Sequence, residues 1–383
     1  MKDLKIYYER NSMFPGHDGV FCKVNPDITF VDKNVAFLSY TMLKMNGSDT
    51  FYDEFCVKSI DGGKTFLEPR LMRGFKKKTP TGRETYFKKS TFYHKKQGKF
   101  ICFLMKALYD ENDVILRNNT PPNPSVHLGY PFYVFRDNET GDYVGEPIEL
   151  KLPFEADCFS PFGQPMEFDN GDVLMNFYGA KKGEGKYYAW SMLLSFDGKN
   201  FTVKDYGERL TCKKGIGFSE ASIAKLNDKY YITLRGEEEG YLAVSKDGLN
   251  YDEPIVWKWD DGSILENYMT QQRWLRFKDG LYLAYTRKGA NNDHVFRHRA
   301  PMFMARFDED NLCLIKSTEV ILVPELGARL GNFNITDVSD TESWLVTAEW
   351  MQTWPPEWYN YKICERYGSN NSIWVAKVKV IED

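Results

Sequence analysis

The sequence lacks the features that mark several large classes of protein. Only five of its 383 residues are histidine, and its seven cysteines are widely spaced, with no C-x-x-C pair. This pattern argues against a zinc knuckle or a dithiol redox centre, so we expect neither a metal nor a cofactor. No run approaches the ~20 consecutive apolar residues of a membrane span. The formal net charge is only −4, which gives no support for nucleic acid as a partner.

The cysteines and the first residues bear on location. Scattered unpaired thiols suit a reducing compartment. Residues 1–7 contain no apolar signal segment. We therefore expect a soluble, cytoplasmic protein, with a periplasmic or secreted location as the alternative if a leader has been removed.

Helical periodicity is poor, and the pattern is that of a β-rich chain. Aromatic residues make up 16% of the sequence, a level that suits pleated sheets and carbohydrate sites alike. Short runs rich in Val, Ile, Tyr and Phe recur in pairs separated by Asn, Asp or Gly, which predicts β-hairpins. These pairs span residues 27–40, 166–175, 223–232, 274–283 and 335–344.

A short turn motif follows several of these hairpins. Residues 59–66 match S-x-D-x-G-x-x-aromatic in full, and shorter versions occupy 195–201 and 245–251. Degenerate copies lie near 135–141 and 307–311. In such a turn the aspartate accepts backbone N–H bonds, the glycine supplies a positive φ and the aromatic ring packs beneath.

A repeat of about 40–50 residues, each with four strands, is typical of a β-propeller. The hairpins predict an all-β fold of six four-stranded antiparallel blades, with five or seven as alternatives, in one domain spanning residues 1–383. We expect the strand at residues 4–8 to pair with the last blade and close the ring. Segments 76–83 and 117–125 are expected to be solvated loops, with a position at the rim of the site as the alternative for either. The predicted blades are 19–70, 85–150, 158–207, 216–258, 268–318 and 329–381.

The motif and the fourth predicted blade resemble the sialidase (neuraminidase) superfamily. The resemblance implies a site at the central funnel, where three arginines bind a substrate carboxylate, an aspartate acts as acid/base and a glutamate activates a tyrosine nucleophile. The run from Phe218 through Arg235 to the motif at 245–251 follows the family's order of glutamate, arginine and turn. Glu220 therefore corresponds to the activating glutamate and Arg235 to the second arginine. The alternative is an ordinary cross-strand ion pair between them.

Other blades supply further candidates through the same resemblance. Asp49, ten residues before the first motif, stands about where the family keeps its acid/base, with a plain turn residue as the alternative. A basic cluster precedes a predicted strand in the fifth blade, and Arg299 in it is the candidate third arginine. Arg297, His298 and Arg329 are further candidates for binding an anionic substrate. The alternative for the cluster is a surface loop.

Two positions depart from the family pattern. Lys23 stands where the family carries its first arginine, and a lysine lacks the guanidinium fork that grips a carboxylate. Phe333 stands where the tyrosine nucleophile is expected and has no hydroxyl. No spacing brings Tyr268 or another tyrosine to the axis instead. His17, beside Asp18 and between glycines, is therefore a further candidate for general acid or base. Its alternative is a turn histidine.

Three functions are compatible with this pattern, and all have a carbohydrate as partner. The leading hypothesis is an exo-acting glycoside hydrolase on an acidic or polar terminal sugar, with Asp49, Glu220 or His17 as catalytic groups. The second is a polysaccharide lyase or rhamnosidase-type propeller acting at a uronate linkage. The third is a non-catalytic glycan-binding propeller, which needs no tyrosine nucleophile.

Overall fold

A computed structural model describes residues 5–46, 49–116, 130–154, 158–180, 186–278 and 280–381. Within these residues the strands form six antiparallel sheets, and the sheets are the blades of a propeller. This confirms the predicted fold and blade number.

The blades follow one another along the chain. Blade 1 contains β2 (Phe21–Phe30), β3 (Ala36–Lys44), β4 (Phe51–Ser59) and β5 (Arg70–Leu71). Blade 2 contains β6 (Lys77–Thr79), β7 (Gly82–His94), β8 (Lys99–Asp110), β9 (Pro131–Arg136) and β10 (Tyr143–Glu149). Blade 3 contains β11 (Cys158–Glu167), β12 (Val173–Ala180), β13 (Tyr188–Phe196) and β14 (Phe201–Tyr206).

The second half of the ring repeats this order. Blade 4 contains β15 (Ser219–Leu226), β16 (Lys229–Arg235), β17 (Gly240–Ser245) and β18 (Ile255–Val256). Blade 5 contains β19 (Arg273–Phe277), β20 (Gly280–Tyr285), β21 (Met302–Asp308), β22 (Cys313–Leu314) and β23 (Val320–Val323). Blade 6 contains β24 (Asn334–Ser339), β25 (Glu342–Ala348), β26 (Ile373–Ile381) and β1 (Lys5–Met13). The helical elements of the described residues are α1 (Tyr361–Arg366) and the 3-10 turns Phe296–His298 and Lys316–Thr318.

Six inner strands surround the axis. They are β2, β7, β11, β15, β19 and β24, and each contacts the inner strand of the next blade around to β24 and back to β2. The ring closes because β1 is the outer strand of blade 6, where it pairs antiparallel with β26 from Lys5 opposite Ile381 to Met13 opposite Ile373. The predicted closure by the N-terminal strand is confirmed. Pairing the two ends of the chain protects a sheet edge that would otherwise be open.

One predicted loop was wrong. Segment 76–83 forms β6 and the start of β7, a hairpin that extends the inner strand of blade 2. Gly82 makes this possible: its φ is +144°, and a Cβ there would lie 2.0 Å from the carbonyl oxygen of Tyr109 on β8. The glycine therefore permits a close backbone approach that its lysine-rich surroundings did not indicate. Segment 117–125, the other predicted loop, lies outside the described residues.

The hydrophobic core is divided into layers between adjacent blades. Between blades 4 and 5, Trp257 and Trp274 are fully buried, with ring centroids 5.7 Å apart, and Phe307 packs against both. The middle strands are buried on both faces because each sheet lies between two others. This explains why their sequences read as near-continuous apolar runs, and it leaves the axis to polar side chains.

The turn motifs lie at the end of the propeller where the inner strands finish, here called the turn end. The Ser59 hydroxyl donates to the Asp61 carboxylate at 2.8 Å, which also accepts the backbone N–H groups of Lys64 and Thr65 at 3.0 Å. A Cβ on Gly63 (φ +76°) would lie 2.3 Å from the Trp344 ring of blade 6. The same backbone bonds are accepted at the shorter and degenerate copies by Asp197, Asp247, Asp137 and Asp308.

Six cysteines have described side chains, and all six are free thiols; five are buried and Cys212 is half-buried. No helix among the described residues is long and apolar enough to cross a membrane.

Candidate functional site

Four arginines converge at the opposite end of the propeller, here called the funnel end, where the inner strands begin. Arg235 ends β16, Arg297 and Arg299 lie just before β21, and Arg329 precedes β24. In an antiparallel blade the start of the first strand, the end of the second and the start of the third share one end. Blades 4, 5 and 6 thereby bring their arginines together. Repulsion from the other three arginines contributes to the lowered pKa of Arg299.

Arg299 and Arg329 are buried without an anionic partner. They are 3% and 4% exposed, and among the described residues neither forms an ion pair and the Nε atom of neither has a hydrogen-bond partner. Burial and the neighbouring arginines hold the pKa of Arg299 well below its usual value. Burial also lowers the pKa of Arg329, to about 10. A buried charge without a partner costs folding free energy, and a bound anion would supply the missing partner.

Arg329 owes its position to aromatic rings. Its guanidinium carbon lies 3.4 Å from the centroid of Trp350 and 5.6 Å from that of Phe296. The backbone of Arg329 also pairs with that of Trp350 as an isolated bridge. Stacking on flat rings suits a guanidinium and leaves its edges free for bidentate bonds.

Arg235 does have a protein partner, because its Nη1 donates to Oε2 of Glu220. Glu220 lies in a bulge of β15 with a φ of 38°, a region that few residues other than glycine adopt. Burial opposes its ionisation, but Arg235 and Arg299 keep the pKa of Glu220 below its usual value. The sequence is also compatible with an ordinary cross-strand ion pair between these residues. That pair is present, and it lies within the arginine cluster.

Asp49 approaches the same cluster from blade 1. It follows β3 in the connection to β4, with a φ of 64°, and its carbonyl accepts the Tyr109 hydroxyl at 2.5 Å. Its carboxylate lies close enough to contribute to the pKa values of Arg235, Arg297 and Arg329. Two carboxylates from different blades, Asp49 and Glu220, therefore flank the arginines. The catalytic roles assigned to them stay predictions.

Lys23 does not join this cluster. Its Nζ donates to the carbonyl of Gly16, and its anionic neighbours are Asp18 and Glu349. Burial lowers its pKa. Lys23 lies near the start of β2, at the funnel end, but side chains alternate along a strand, and the sequence pattern did not fix which way this residue points.

His17 also lies apart from the four arginines. Its Nε2 is 3.2 Å from a carboxylate oxygen of Glu365 on α1, and its Nδ1 accepts the backbone N–H of Gly19 at 3.1 Å. Its ring meets that of Tyr361 edge to face. These partners fix His17 against α1, which fits its alternative as a turn histidine.

His298 has partners that the sequence did not reveal. Its Nδ1 lies 2.6 Å from the hydroxyl of Tyr268, and its Nε2 lies 3.1 Å from Oδ1 of Asp293. Sequence spacing gave Tyr268 no place at the axis, yet Arg297 and Arg299 act on its pKa. The available signal was its position just before β19, since the other candidates also lie at strand ends facing the funnel.

Two further tyrosines border the arginines. Tyr178, near the end of β12, contributes to the pKa of Arg235, and Tyr359 contributes to that of Arg329. Both are partly exposed. Tyr178, Tyr268 and Tyr359 therefore all lie near the arginines, and all lie outside the position at which the family pattern expects a tyrosine.

That position is occupied by a core residue. Phe333 is fully buried in the layer between blades 5 and 6, and its carbonyl accepts a bond from the Gln271 amide at 2.6 Å. The preceding Asn332 bonds Asn25, in the bulge of β2, at 2.9 Å. A pair of side-chain amides therefore lies just before the inner strand of blade 6.

A large cavity lies elsewhere, along the axis toward the turn end. It has a volume of about 600 Å³, and its walls include Asp27, Gln164, Arg276 and Asp337. Arg276 is paired there with Asp337 at 2.5 Å. We place the candidate site at the funnel end despite this volume, because the unpaired charges are there. In the part of the chain that is described, no three His, Cys, Asp or Glu side chains gather as a metal site would require.

Comparison with known proteins identifies the fold. No protein-family model and no curated protein sequence matches the chain. Among solved structures, a Dyadobacter fermentans protein of unknown function is similar over 98% of this chain and 99% of its own, with a TM-score of 0.65 and 16% identity.

Sialidases share the same fold. A Hadza microbial sialidase is similar over 92% of this chain, with a TM-score of 0.60 and 12% identity. Trypanosoma rangeli sialidase is similar over 94%, with a TM-score of 0.58 and 13% identity. The chain spans 65% and 55% of the lengths of these two proteins. At such identities the likeness establishes a sialidase-like propeller and leaves the chemistry to the site.

Proposed function

We propose that this chain is a glycoside hydrolase that removes a terminal sugar bearing a carboxylate. The observation that carries the proposal is the cluster of Arg235, Arg297, Arg299 and Arg329. Among the described residues, only Arg235 of these four has a carboxylate partner. Guanidinium groups bind carboxylates through paired hydrogen bonds, so an acidic sugar would compensate charges that a neutral sugar would leave buried and unpaired.

The two carboxylates take different roles in this proposal. Asp49 protonates the leaving glycosidic oxygen and later accepts a proton from water, as hydrolysis of a glycoside requires. Glu220 is bonded to Arg235 and kept ionised by it, so it holds that arginine in place. This replaces the activating role that the sequence pattern suggested for Glu220.

The similar solved structures suggest which acid to test first. The Trypanosoma rangeli sialidase whose structure contains sialic acid shares 14% identity with this chain. That identity supports no transfer of substrate by itself. Sialic acid and uronic acids both carry the carboxylate that the arginines would bind, and both belong in the first screen.

The test is a turnover assay with methylumbelliferyl sialic acid and a panel of uronate-containing oligosaccharides. Products are read both as new reducing ends and as ultraviolet-absorbing unsaturated sugars. We expect hydrolysis of an acidic terminal sugar with no unsaturated product. Formation of an unsaturated product would instead identify a lyase. Binding of acidic glycans without turnover of any of them would reject an enzyme.

A binding propeller is the second candidate, favoured by one observation. Phe333, where the family pattern expects a nucleophile, is fully buried and offers no reactive group. The same arginines would then hold an acidic sugar without cleaving it. The turnover assay separates this function from hydrolysis.

A further inference from the structure

Three side chains at the head of blade 5 form a continuous hydrogen-bonded chain. The Tyr268 hydroxyl lies 2.6 Å from Nδ1 of His298, and Nε2 of the same ring lies 3.1 Å from Oδ1 of Asp293. An ionised carboxylate only accepts, so Asp293 favours the tautomer with the proton on Nε2, and in that tautomer Nδ1 accepts the hydroxyl hydrogen of Tyr268. A base oriented by a third group in this way is the usual means of activating a weak nucleophile.

The backbone around these three side chains is held in an unusual conformation. Arg297 and His298 both have positive φ, 56° and 52°, and Met269 beside Tyr268 has a φ of 51°. The side-chain amide of the fully buried Asn292 donates to the carbonyl oxygen of Ala300 at 2.6 Å. Such backbone persists only where its surroundings fix it, and it is concentrated at functional sites.

These three hydrogen-bonded side chains also lie next to the arginine cluster. Arg299 donates to the carbonyl of Met269, the residue next to Tyr268. Burial and the charge of Asp293 raise the pKa of Tyr268, whereas the charges of Arg297 and Arg299 oppose that rise. The Lys288 ammonium lies 4.4 Å from the centroid of the Tyr268 ring. The positive charges of Arg297, Arg299 and Lys288 therefore stabilise the ionised form of the Tyr268 hydroxyl.

We infer that Tyr268 is the nucleophile of the proposed hydrolase and that His298, oriented by Asp293, accepts its proton. The inference rests on the proposed function. It also fits the other assignments, because Glu220 is committed to Arg235 and Phe333 has no hydroxyl. Tyrosine is an established nucleophile in glycoside hydrolysis.

The reaction balances in two steps. In the first, the Tyr268 oxygen bonds to the anomeric carbon as the bond from that carbon to the glycosidic oxygen breaks; the phenol proton moves to His298, and Asp49 protonates the leaving group. In the second, water attacks the anomeric carbon and gives a proton to Asp49. The bond to Tyr268 then breaks, and its oxygen recovers the proton from His298.

The test begins with turnover of the substrate found in the assay above. Tyr268→Phe removes one oxygen and should lower kcat by something on the order of 10⁴-fold, as loss of a triad member does. His298→Asn should lower kcat by about 10²–10⁴-fold with little change in KM, because it affects proton transfer more than binding. Tyr285→Phe is the matched control, since its hydroxyl bonds Glu319 at 2.7 Å in the same blade, and it should retain activity.

The second readout locates the covalent bond. The enzyme is incubated with difluorinated sialic acid, whose fluorines slow the breakdown of a glycosyl–enzyme adduct, and its peptides are mapped by mass spectrometry. We expect the label on Tyr268, slower labelling in His298→Asn and none in Tyr268→Phe. Label on Tyr178 or Tyr359, or full turnover by Tyr268→Phe, would overturn the assignment and leave the hydrolase intact. Absence of turnover by the unaltered protein would reject the hydrolase and the nucleophile together.

Discussion

The two ends of this propeller use the same charged residue types in opposite ways. At the turn end, Asp61 accepts bonds from its own turn, and the Thr65 hydroxyl and N–H hold its pKa below the usual range. Arg276 there is paired with Asp337. At the funnel end, Arg299 and Arg329 are buried with no anionic partner among the described residues, and other arginines surround them.

The contrast separates structure from function. Folded proteins satisfy nearly all their buried polar groups, and a buried charge is tolerated when it is paired. The charges of Asp61 and Arg276 at the turn end follow this rule, because each has a partner. The funnel end departs from it at several adjacent positions and on several blades, which is the pattern of a site completed by its ligand.

The largest expected effect is on kcat, and it is seen by comparing the substitution of one aspartate at each end of the propeller. Asp49→Asn should lower kcat by about 10²–10⁴-fold, because the amide cannot protonate the leaving oxygen. Asp197→Asn, in a turn at the other end, should leave kcat unchanged. The measurement is steady-state kinetics on the substrate identified by the turnover assay. Equal activity of the two variants would remove Asp49 from the site.

The second comparison exchanges an arginine at each end for methionine. Arg299→Met should weaken binding of an acidic sugar by roughly 10²-fold, because the charge is desolvated and central. Its stability should be unchanged or higher, since an unpaired buried charge is removed. Arg276→Met should bind normally and lose about 1–2 kcal/mol of stability, because Asp337 is left unpaired.

Calorimetric titration and denaturant unfolding measure both quantities for this pair of variants. A large loss of stability in Arg299→Met, with binding intact, would make Arg299 a structural residue. The difference between the ends would then have no functional meaning.

The smallest effect concerns the turn end alone. Hydrogen bonds from its turn lower the pKa of Asp247 to about 2 despite partial burial, against an unfolded value of about 3.9. A depressed pKa adds stability above the unfolded value, and that stability is lost as the pH falls toward the folded value. Asp247→Asn should therefore cost about 1 kcal/mol at pH 7 and less at pH 3. An equal cost at both pH values would contradict this assignment.

The fold could be predicted from sequence because its signals are local. Paired apolar runs, turn residues and a repeated motif lie within short stretches, and each blade repeats them. The hairpin of β6 and β7 escaped prediction, because its lysine-rich strand shows no apolar alternation and depends on a glycine contact with β8.

The site was less predictable, because it is assembled across blades. Arg235 and Glu220 could be found together since one hairpin carries both. Tyr268 and His298 are thirty residues apart and meet only through the fold. Lys23 lies on the expected strand. Successive side chains of a strand point to opposite faces, however, so a shift of one residue decides whether a side chain faces the funnel.

The most direct test of the account measures charge recognition at the funnel end. Sialic acid and glucuronic acid are titrated against the protein by calorimetry, each beside its own neutral methyl ester. At least one acid should bind at least about 10-fold more tightly than its ester, the value of one good charge-assisted contact, and Arg299→Met should abolish the difference. Equal binding of acid and ester, or binding of neither acid, would contradict it.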